Sequence, residues 1–291
     1  MEKRIAVLGG TGMAGHIAVA YFDEQGFDVS YTSRTSPISP KSHPIDAMDT
    51  DSLVKWLDDL NPDVLINCMG VLQKESEARP DRAIFINGYL PKFLANRYAK
   101  SSMKIIHLST DCVFSGTRGG YLEAENPNGE TTYDRTKALG EITNDKDLTF
   151  RMSIIGPDTN VNGTGLFNWF MSQSGEIRGY TKALWNGITS IELMRAIQKA
   201  LQQNLTGLYH LVAPNPIDKY NLLKLFKDIF NKNDIEILPF DDFSVDKSLI
   251  NTRIDFDFDV CSYVEQINDM KIWIDEHADM YPHYKNIKIE R

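Results

Sequence analysis

The sequence predicts an α/β fold in which a doubly wound parallel sheet is joined to a smaller C-terminal α/β lobe. Two observations support this prediction. Short apolar runs rich in β-branched residues alternate with helical segments from Arg4 to about residue 156, as buried parallel strands and their crossover helices do. The composition then changes between Asp158 and Asn186, where asparagine, glycine and aromatic residues become frequent. We expect this second segment to face a substrate.

The composition is that of an ordinary globular protein, and the net charge argues against some classes of binding partner. Of the 291 residues, 42% are hydrophobic and 24% charged, and the net charge of -9 argues against nucleic acid as a partner. Three scattered cysteines are too few for a disulfide framework or a zinc site. No signal peptide is recognisable, and no apolar window reaches the ~18 residues of a membrane span. We therefore expect a cytoplasmic protein with no metal and no membrane partner.

A glycine-rich turn follows the first strand, Arg4–Leu8, and leads into a helix that runs from His16 to Gly26. The order of strand, glycine turn and helix is typical of a Rossmann-type dinucleotide-binding unit, in which the glycines allow a tight turn and close approach of a pyrophosphate to the helix N-terminus. The expected cofactor contacts in this turn are Gly9, Thr11, Gly12, Met13 and Gly15.

The second strand, Phe27–Arg34, indicates which dinucleotide binds. An NAD site would place an acidic residue at the end of this strand to bind the ribose diol, whereas a 2'-phosphate needs cationic and hydroxyl donors. The strand ends with Thr32, Ser33 and Arg34. We therefore predict NADPH rather than NADH, with Ser33 and Arg34 as contacts; the alternative is that Arg34 is an ordinary surface arginine.

Two further strand ends supply expected cofactor contacts. Asp46 and Ala47 follow a short third strand, where a carboxylate could accept from the adenine amino group; capping the next helix is the alternative role, better suited to Asp49 or Asp51. The strand that begins at Pro62 is expected to run beside the nicotinamide ribose, and it ends with Cys68, Met69 and Gly70.

The segment from Arg82 to Ala99 is predicted to be one helix, and Asn87 lies among its apolar residues. An amide at such a position either bonds a backbone group in the core or takes part in a proton relay. We favour the structural role.

The stretch from His107 to Glu141 carries the predicted chemistry. A buried strand, Lys104–Ser109, presents Ser109, Thr110, Asp111 and Cys112, and a helix begins with Tyr133. Lys137 shares a helical face with Tyr133 at the i, i+4 spacing. A tyrosine with an ordinary pKa of about 10 is a poor acid near neutral pH, and a lysine one turn away would lower that pKa.

This arrangement suits the reduction of a carbonyl whose oxygen is held by Thr110 or Ser109. The same Tyr-x-x-x-Lys spacing recurs at Tyr220 and at Tyr281, so the spacing alone has low specificity. The Tyr133 pair is singled out because it lies downstream of the nucleotide-binding pattern.

The remaining segments complete the predicted organisation. We expect a sixth strand at 150–157, a helix at 191–203, a strand at 207–212 and a helix at 218–231. Residues 1–156, completed by about 187–213, would form the NADP-binding domain. Residues 157–186 and 214–291 would form the substrate-binding lobe.

These motifs, in this order, resemble the extended short-chain dehydrogenase/reductase superfamily, and within it the dTDP-4-dehydrorhamnose reductase group of nucleotide-sugar 4-ketoreductases. The similarity spans roughly the first 215 residues. It rests on the glycine turn and on Ile45-Asp46, Asn67-Cys-Met-Gly70, Ile86-Asn87-x-x-x-Pro91, Ser109-Thr-Asp-Cys-Val-Phe-Ser-Gly116, Tyr133-Asp-Arg-Thr-Lys-Ala-Leu-Gly-Glu141 and Arg151-Met-Ser-Ile-Ile-Gly156.

The resemblance implies a role for each residue of the predicted site. Tyr133 would be the general acid, Lys137 would lower its pKa and bind the nicotinamide ribose beside Ser109, and Thr110 would bind the substrate carbonyl. Asp111 and Cys112 would lie near the sugar. Hydride would pass from NADPH to C4 of a 4-keto-6-deoxyhexose linked to dTDP or UDP, with or without a 2-acetamido group. The expected assembly is a homodimer.

Two alternatives stay open. Bifunctional epimerase/reductases of the same superfamily are similar in carrying a cysteine two residues after the catalytic Ser/Thr, which would make Cys112 an acid in epimerisation; Lys182 and Asp158 are candidate bases by location only. Alternatively, the fold is kept in a non-catalytic NADP-binding regulatory subunit, as in the beta subunit of methionine adenosyltransferase.

Overall fold

The computed structural model describes residues 3–34 and 39–284. The strands are β1 (Arg4–Leu8), β2 (Asp28–Ser33), β3 (Ser42–Pro44), β4 (Val64–Asn67), β5 (Lys104–Leu108), β6 (Leu148–Arg151), β7 (Ile154–Ile155), β8 (Gly175–Trp185), β9 (Ile188–Thr189), β10 (Gly207–His210), β11 (Ile217–Asp218) and β12 (Ile235–Asp246). The α-helices are α1 (Met13–Glu24), α2 (Thr50–Leu60), α3 (Gln73–Ala78), α4 (Pro80–Ala83), α5 (Leu90–Arg97), α6 (Thr132–Gly140), α7 (Leu166–Ser172), α8 (Ser190–Gln203), α9 (Lys219–Ile229) and α10 (Tyr263–Glu276).

Seven parallel strands form the central sheet, in the order β10-β6-β5-β4-β1-β2-β3. The chain winds outward from β1 in one direction through β2 and β3, and then in the other through β4, β5, β6 and β10. This doubly wound order confirms the predicted fold class. It also places a topological switch point between β1 and β4, where ligands bind in such sheets.

Strand β1 shows why the central strands read as continuous apolar runs. Ile5 and Val7 point into the core that includes α1 and α8, whereas Ala6 and Leu8 point into a second core on the other face with α2 and α5. Successive side chains of a strand face opposite sides, so a strand covered by helices on both faces must be apolar at every position.

A three-stranded sheet in the order β11-β8-β12 forms the centre of the smaller lobe. Strand β12 runs parallel to β8, β11 runs antiparallel to it, and α9 packs against β8. All three strands belong to segments assigned from the sequence to the substrate lobe, and β10 lies in the segment assigned to complete the main sheet. The division at 1–156, 157–186, 187–213 and 214–291 stays a prediction.

Two predicted elements have different bounds in the structure. The sixth strand is Leu148–Arg151 rather than 150–157, and the Met152 carbonyl that follows it accepts from the Asp111 backbone at 3.0 Å. The chain then forms the short β7, which pairs with β9 instead. The segment 158–186, expected to be an irregular insertion, contains α7 and the long strand β8.

The predicted helix from Arg82 to Ala99 is interrupted by a π-helical turn, Ile84–Tyr89. Pro91 lacks an N–H group and therefore cannot donate the regular helical hydrogen bond to the carbonyl of Asn87. The Asn87 side chain bonds both backbone groups of Val71, at 2.8 Å and 3.0 Å, and also reaches Thr136 Oγ1 at 3.2 Å. Its amide is fully used within the core, which supports the structural role.

None of the helices within the described ranges combines the length and apolarity needed to cross a bilayer. Within the same ranges there is no cluster of three or more His, Cys, Asp or Glu side chains suited to a metal ion. Tyr281 is buried at the end of the described chain, and Lys285, its partner in the third Tyr-x-x-x-Lys match, lies outside the described residues.

Candidate active site and dinucleotide site

The glycine turn after β1 forms a cradle at the start of α1. Gly9 has a positive φ of 74°, and a Cβ on Gly15 would lie 2.0 Å from the Gly9 carbonyl oxygen, so helix and turn can approach this closely only with glycine at both positions. A Cβ on Gly12 would meet only the Gly9 oxygen, at 3.5 Å, which leaves this side of the turn open. Helix α1 begins at Met13, earlier than the predicted His16.

The N-terminus of α1 fits the phosphates of a dinucleotide. Gly12 is its N-cap and provides no side-chain acceptor for the first-turn N–H groups, and both Thr11 and Gly12 are exposed. Unsatisfied N–H groups together with the positive end of the helix dipole suit an anion. Met13 packs towards Gly165 of the smaller lobe, with its sulfur 3.2 Å from the position of a Cβ there.

The two predicted 2'-phosphate contacts at the end of β2 differ in exposure. Arg34 is exposed, as a phosphate ligand would require. Ser33 is only 3% exposed, and its hydroxyl is 3.1 Å from Ser42 Oγ on the neighbouring strand. The role of Ser33 as a donor to the 2'-phosphate stays a prediction.

Two exposed carboxylates, Asp46 and Asp49, follow β3, and the contact of Asp46 with adenine stays a prediction. Asp46 is exposed, and its Oδ1 accepts from the Met48 backbone at 3.0 Å in a tight turn. Asp49 is the N-cap of α2, accepting from the Ser52 backbone at 3.1 Å, so helix capping belongs to Asp49. Ala47, between them in the chain, is buried at 6% exposure.

The end of β4 lies against the glycine turn. A Cβ on Gly9 would lie 2.9 Å from Met69 Cγ, so Met69 packs directly on the turn. Gly70 is exposed, and Cys68 is half-buried. Burial raises the pKa of the Cys68 thiol to about 12, partly opposed by the Lys137 charge, so the thiol is neutral and forms an apolar wall.

The side chains of Thr110 and Tyr133 are neighbours at the carboxyl end of β5. Thr110 Oγ1 also donates to Asp111 Oδ1 at 3.2 Å and accepts from the Cys112 backbone at 3.2 Å. Helix α6 presents Tyr133 in its first turn, because Thr131 and Asp134 form a capping box that fixes the helix start.

The pKa of Tyr133 is raised rather than lowered, which is opposite to the sequence-based expectation. Burial is the main cause, and the neighbouring Cys112 thiol and Asp111 carboxyl act in the same direction. Lys137 does not reach the phenol: its ammonium donates to the Leu108 carbonyl at 2.6 Å. In this structure Tyr133 is therefore a fully protonated donor at neutral pH.

Lys137 is itself perturbed. It is 4% exposed, and burial lowers its pKa to about 8, with the Glu141 carboxylate acting in the opposite direction. A lysine with this pKa is still mostly charged at pH 7 and begins to lose its proton just above it.

The choice between Ser109 and Thr110 as holder of the reacting oxygen is decided by hydrogen bonding. The Ser109 hydroxyl donates to Glu141 Oε1 at 2.7 Å, within a buried pair that Glu141 makes with Arg151. Ser109 is therefore committed to the core, and Thr110 is the hydroxyl beside Tyr133.

Sequence reasoning missed Lys219 and Lys247 of the smaller lobe. Both charges act on the carboxyl of Asp111 and on the thiol of Cys112, against the burial that raises the pKa of each group. The pKa of Cys112 is raised to about 12, so the thiol is protonated. No local sequence motif identifies either lysine as part of the site, because both come near Asp111 and Cys112 only through the tertiary fold.

The two candidate bases proposed from location lie elsewhere. Lys182 is exposed and forms an ion pair with Asp241 at 3.3 Å. Asp158 acts electrostatically on His16 and on the C-terminal tyrosines Tyr281 and Tyr284. Neither contributes to the surroundings of Cys112.

Comparison with known proteins identifies the family. The model of the RmlD substrate binding domain matches residues 3–246. Agl14 of Haloferax volcanii, named as a probable low-salt glycan biosynthesis reductase, is 34% identical over 157 residues, which make up 51% of this chain and 52% of that protein. The beta subunit of methionine adenosyltransferase 2 from Xenopus tropicalis is 23% identical over 254 residues, covering 82% of this chain and 76% of that protein.

A solved structure has the same fold. The crystal structure of dTDP-4-dehydrorhamnose reductase from Bacillus anthracis in complex with NADP has a TM-score of 0.80 at 19% identity, covering 94% of this chain and 99% of that one. The family match confirms the resemblance to the dTDP-4-dehydrorhamnose reductase group and supports the oxidoreductase class, and the solved structure shows a shared fold. Since the family model matches well over half of its length, the chain belongs to the RmlD substrate-binding domain family.

Proposed function

We propose that the protein is an NADPH-dependent reductase that converts the 4-keto group of a nucleotide-linked 4-keto-6-deoxyhexose to an alcohol, in deoxysugar or polysaccharide synthesis. The observation that carries this proposal is the placement of the Thr110 and Tyr133 hydroxyl groups next to each other at the carboxyl end of β5. A carbonyl oxygen placed between these two hydroxyl groups would be held by one and protonated by the other.

Each residue of the site has a role in this proposal. NADPH, when bound, would supply the hydride for C4. Thr110 orients the carbonyl oxygen, and Tyr133 gives it the phenolic proton, which its raised pKa keeps in place near neutral pH. Lys137, buried beside Cys68, provides a positive charge and is proposed to bind the nicotinamide ribose.

Several observations support NADPH as the cofactor. The glycine turn and the uncapped N-terminus of α1 suit the pyrophosphate, and the exposed Arg34 suits a 2'-phosphate. The structurally similar reductase from Bacillus anthracis was solved in complex with NADP.

The same site supports a second candidate function, epimerisation next to the keto group before reduction. The observation that favours it is Cys112, whose protonated thiol adjoins Tyr133 and could act as an acid. Its weakness is that neither Lys182 nor Asp158 approaches the thiol.

A regulatory subunit is the rival from another class, because the beta subunit of methionine adenosyltransferase 2 is among the relatives. A non-catalytic NADP-binding subunit would have no need of Thr110, Tyr133 and Lys137 together. Their joint placement supports the enzyme instead.

NMR of the products formed in deuterated water tests the proposal. The protein would be incubated with NADPH and a panel of dTDP- and UDP-4-keto-6-deoxyhexoses, with and without a 2-acetamido group. A reduced sugar without deuterium at C3 or C5 is expected. Deuterium at either carbon, lost in Cys112→Ser, would favour the epimerase/reductase. Absence of reduction for every sugar would contradict the enzyme and favour the regulatory subunit.

The cytoplasmic location and the homodimer belong to the same proposal. Apolar side chains on neighbouring elements support self-association: Ile84 is 51% exposed, Tyr89 48% and Leu139 57%. Sedimentation equilibrium should give about twice the chain mass of 33.0 kDa, and a single-chain mass would contradict the dimer.

A further inference from the structure

A chain of hydrogen bonds connects the C-terminal end of the described residues to the glycine turn. His16, near the start of α1, has its Nδ1 atom 2.9 Å from the Gly12 carbonyl oxygen. Its Nε2 atom is 2.7 Å from the Tyr281 hydroxyl, and that hydroxyl accepts from the indole N–H of Trp273 at 3.0 Å. Tyr281 is 0% exposed, His16 8% and Trp273 6%, so little water competes for these bonds.

The two ends of this chain fix the direction of every hydrogen bond in it. A carbonyl oxygen can only accept, so the Nδ1 atom of His16 carries the ring proton. Burial lowers the pKa of His16, so the ring is neutral and its Nε2 atom is an acceptor. An indole nitrogen can only donate, so the Tyr281 oxygen accepts from Trp273 and gives its own proton to His16. Tyr281 therefore selects the imidazole tautomer that donates to Gly12.

The Gly12 carbonyl is the group through which Tyr281 can act on the dinucleotide site. It also accepts the first regular helical bond of α1, from the His16 backbone at 2.9 Å. In a trans peptide the carbonyl and the following N–H point in opposite directions. A Gly12 carbonyl held towards the helix therefore aims the Met13 N–H out of the N-terminus, which is the side from which a phosphate approaches.

Helix α1 needs such a contact because its N-cap has no side chain. In α6, the N-cap Thr131 fixes the helix start with its own hydroxyl, whereas Gly12 makes no side-chain cap. His16 holds the start of α1 from within the helix instead. The space in front of the N-terminus is thereby left free for phosphates, which a capping side chain would occupy.

We propose that Tyr281 is a positioning residue for the pyrophosphate of the dinucleotide, acting through His16 on the peptide between Gly12 and Met13. This inference rests on the proposed function only in placing the pyrophosphate of NADPH at the N-terminus of α1. Trp273 and Tyr281 both lie in 214–291, which the sequence assigns to the substrate lobe. That segment would then serve the cofactor as well as the sugar.

Calorimetry with NADP⁺ and with adenosine 2'-monophosphate tests the inference. The second ligand carries the 2'-phosphate but no pyrophosphate, so it is an internal reference. Tyr281→Phe keeps the buried ring and removes only the hydroxyl. We expect it to weaken NADP⁺ binding by roughly 3- to 10-fold, the range for one neutral hydrogen bond, and to leave binding of the monophosphate unchanged.

Tyr21→Phe is the matched control, because it removes a hydroxyl that fixes the same helix at another point. The Tyr21 hydroxyl donates to Gln198 Oε1 of α8 at 2.7 Å. This variant should bind NADP⁺ as the wild type does. Equal losses in the two variants would show that Tyr281 only stabilises α1, and would overturn the inference. Unchanged NADP⁺ binding in Tyr281→Phe, or equal weakening of both ligands, would overturn it as well.

A double-mutant cycle with His16→Phe tests the route from Tyr281 to Gly12. If Tyr281 acts only through the imidazole, Tyr281→Phe should cause no further loss of NADP⁺ affinity once His16 has been replaced. Additive losses would overturn the route.

Binding is measured without turnover, so it separates this inference from the proposed reaction. Weakened NADP⁺ binding in Tyr281→Phe, in a protein that reduces no nucleotide sugar, would keep the positioning role although the reaction had failed. Wild-type reduction together with unchanged NADP⁺ binding in Tyr281→Phe would keep the reaction and overturn the positioning role.

Discussion

Two polar clusters begin at the two residues that follow β5 and have opposite properties. The inner cluster starts at Ser109 and continues through Glu141, Arg151 and His210. The outer cluster starts at Thr110 and contains Tyr133, Asp111 and Lys219. Both contain charges, but the inner cluster is buried and hydrogen-bonded throughout, whereas the half-buried Tyr133 phenol of the outer cluster makes no hydrogen bond to any residue that the structure describes.

The polar groups of the inner cluster are hydrogen-bonded to one another or to the backbone. Arg151 bonds both carboxylate oxygens of Glu141, at 2.8 Å and 2.6 Å, and its third nitrogen lies 3.0 Å from His210 Nε2. His210 Nδ1 is 2.9 Å from the Ile250 carbonyl oxygen. Burial lowers the pKa of His210 to about 4, so the ring is neutral and accepts from Arg151 while donating to Ile250.

Neighbouring residues at one strand end can therefore contribute separately to stability and to chemistry. A buried network whose members are all satisfied is rigid and has nothing left to offer a ligand. A cluster with spare donors and acceptors is less favourable by itself and gains from a bound molecule. The first therefore fixes the position of β5, and the second is available for substrate.

Removing the acid of the outer cluster should have the largest effect. Tyr133→Phe is expected to lower kcat by about 10²- to 10⁴-fold, because it deletes the proton donor and little volume. Steady-state oxidation of NADPH measures this, and urea unfolding should give a midpoint close to that of the wild type. Turnover that survives the substitution would remove Tyr133 from the mechanism.

Breaking the inner cluster should instead cost stability. Arg151→Met leaves Glu141 as an unpaired buried charge, which we expect to lower the free energy of unfolding by about 3–5 kcal/mol in urea titrations. The double variant Glu141→Gln with Arg151→Met should recover much of the loss. As a control, Lys271→Met removes a half-exposed helical pair with Asp275 and should cost only about 0.3–0.5 kcal/mol. Equal losses in Arg151→Met and Lys271→Met would refute the distinction.

Replacing Arg34, the predicted contact of the 2'-phosphate, should have a smaller effect than the changes in either cluster. Arg34→Asp should raise the KM for NADPH roughly 10- to 100-fold, because a charge-assisted contact to the 2'-phosphate is replaced by repulsion, and should change the KM for NADH little. Initial rates with both cofactors test this. Equal changes would mean that the 2'-phosphate is not bound at Arg34.

The pH dependence should show the smallest effect. Lys137 has a lowered pKa of about 8, so its charge is present below that pH and is lost above it. The pKa of Tyr133 is raised, so the acid stays protonated over the same range. We expect kcat/KM to be level from pH 6 to 7.5 and to fall by up to about tenfold per pH unit above 8. A level profile up to pH 9.5 would show that the Lys137 charge is not needed.

The sequence determined the parts of this protein that depend on local pattern. The apolar run of β1, the glycine turn and the start of α6 one residue before the predicted Tyr133 were predictable, because strand burial, tight turns and helix starts are fixed by residues close together in the chain. The placement of Arg34 on the surface at the end of β2 is consistent with the same reasoning. The direction of the Tyr133 pKa was predicted wrongly, because i, i+4 spacing does not fix where a lysine ammonium points.

Only the tertiary structure decided which neighbouring groups meet. Ser109 and Thr110 are adjacent residues with hydroxyl side chains. The Ser109 hydroxyl bonds Glu141 in the core, whereas the Thr110 hydroxyl bonds Asp111 and lies beside Tyr133. Lys219, more than a hundred residues further along the chain, acts electrostatically on Asp111 only because of the tertiary fold. Such contacts depend on burial and on chain segments far apart in the sequence, and no local pattern of residues encodes them.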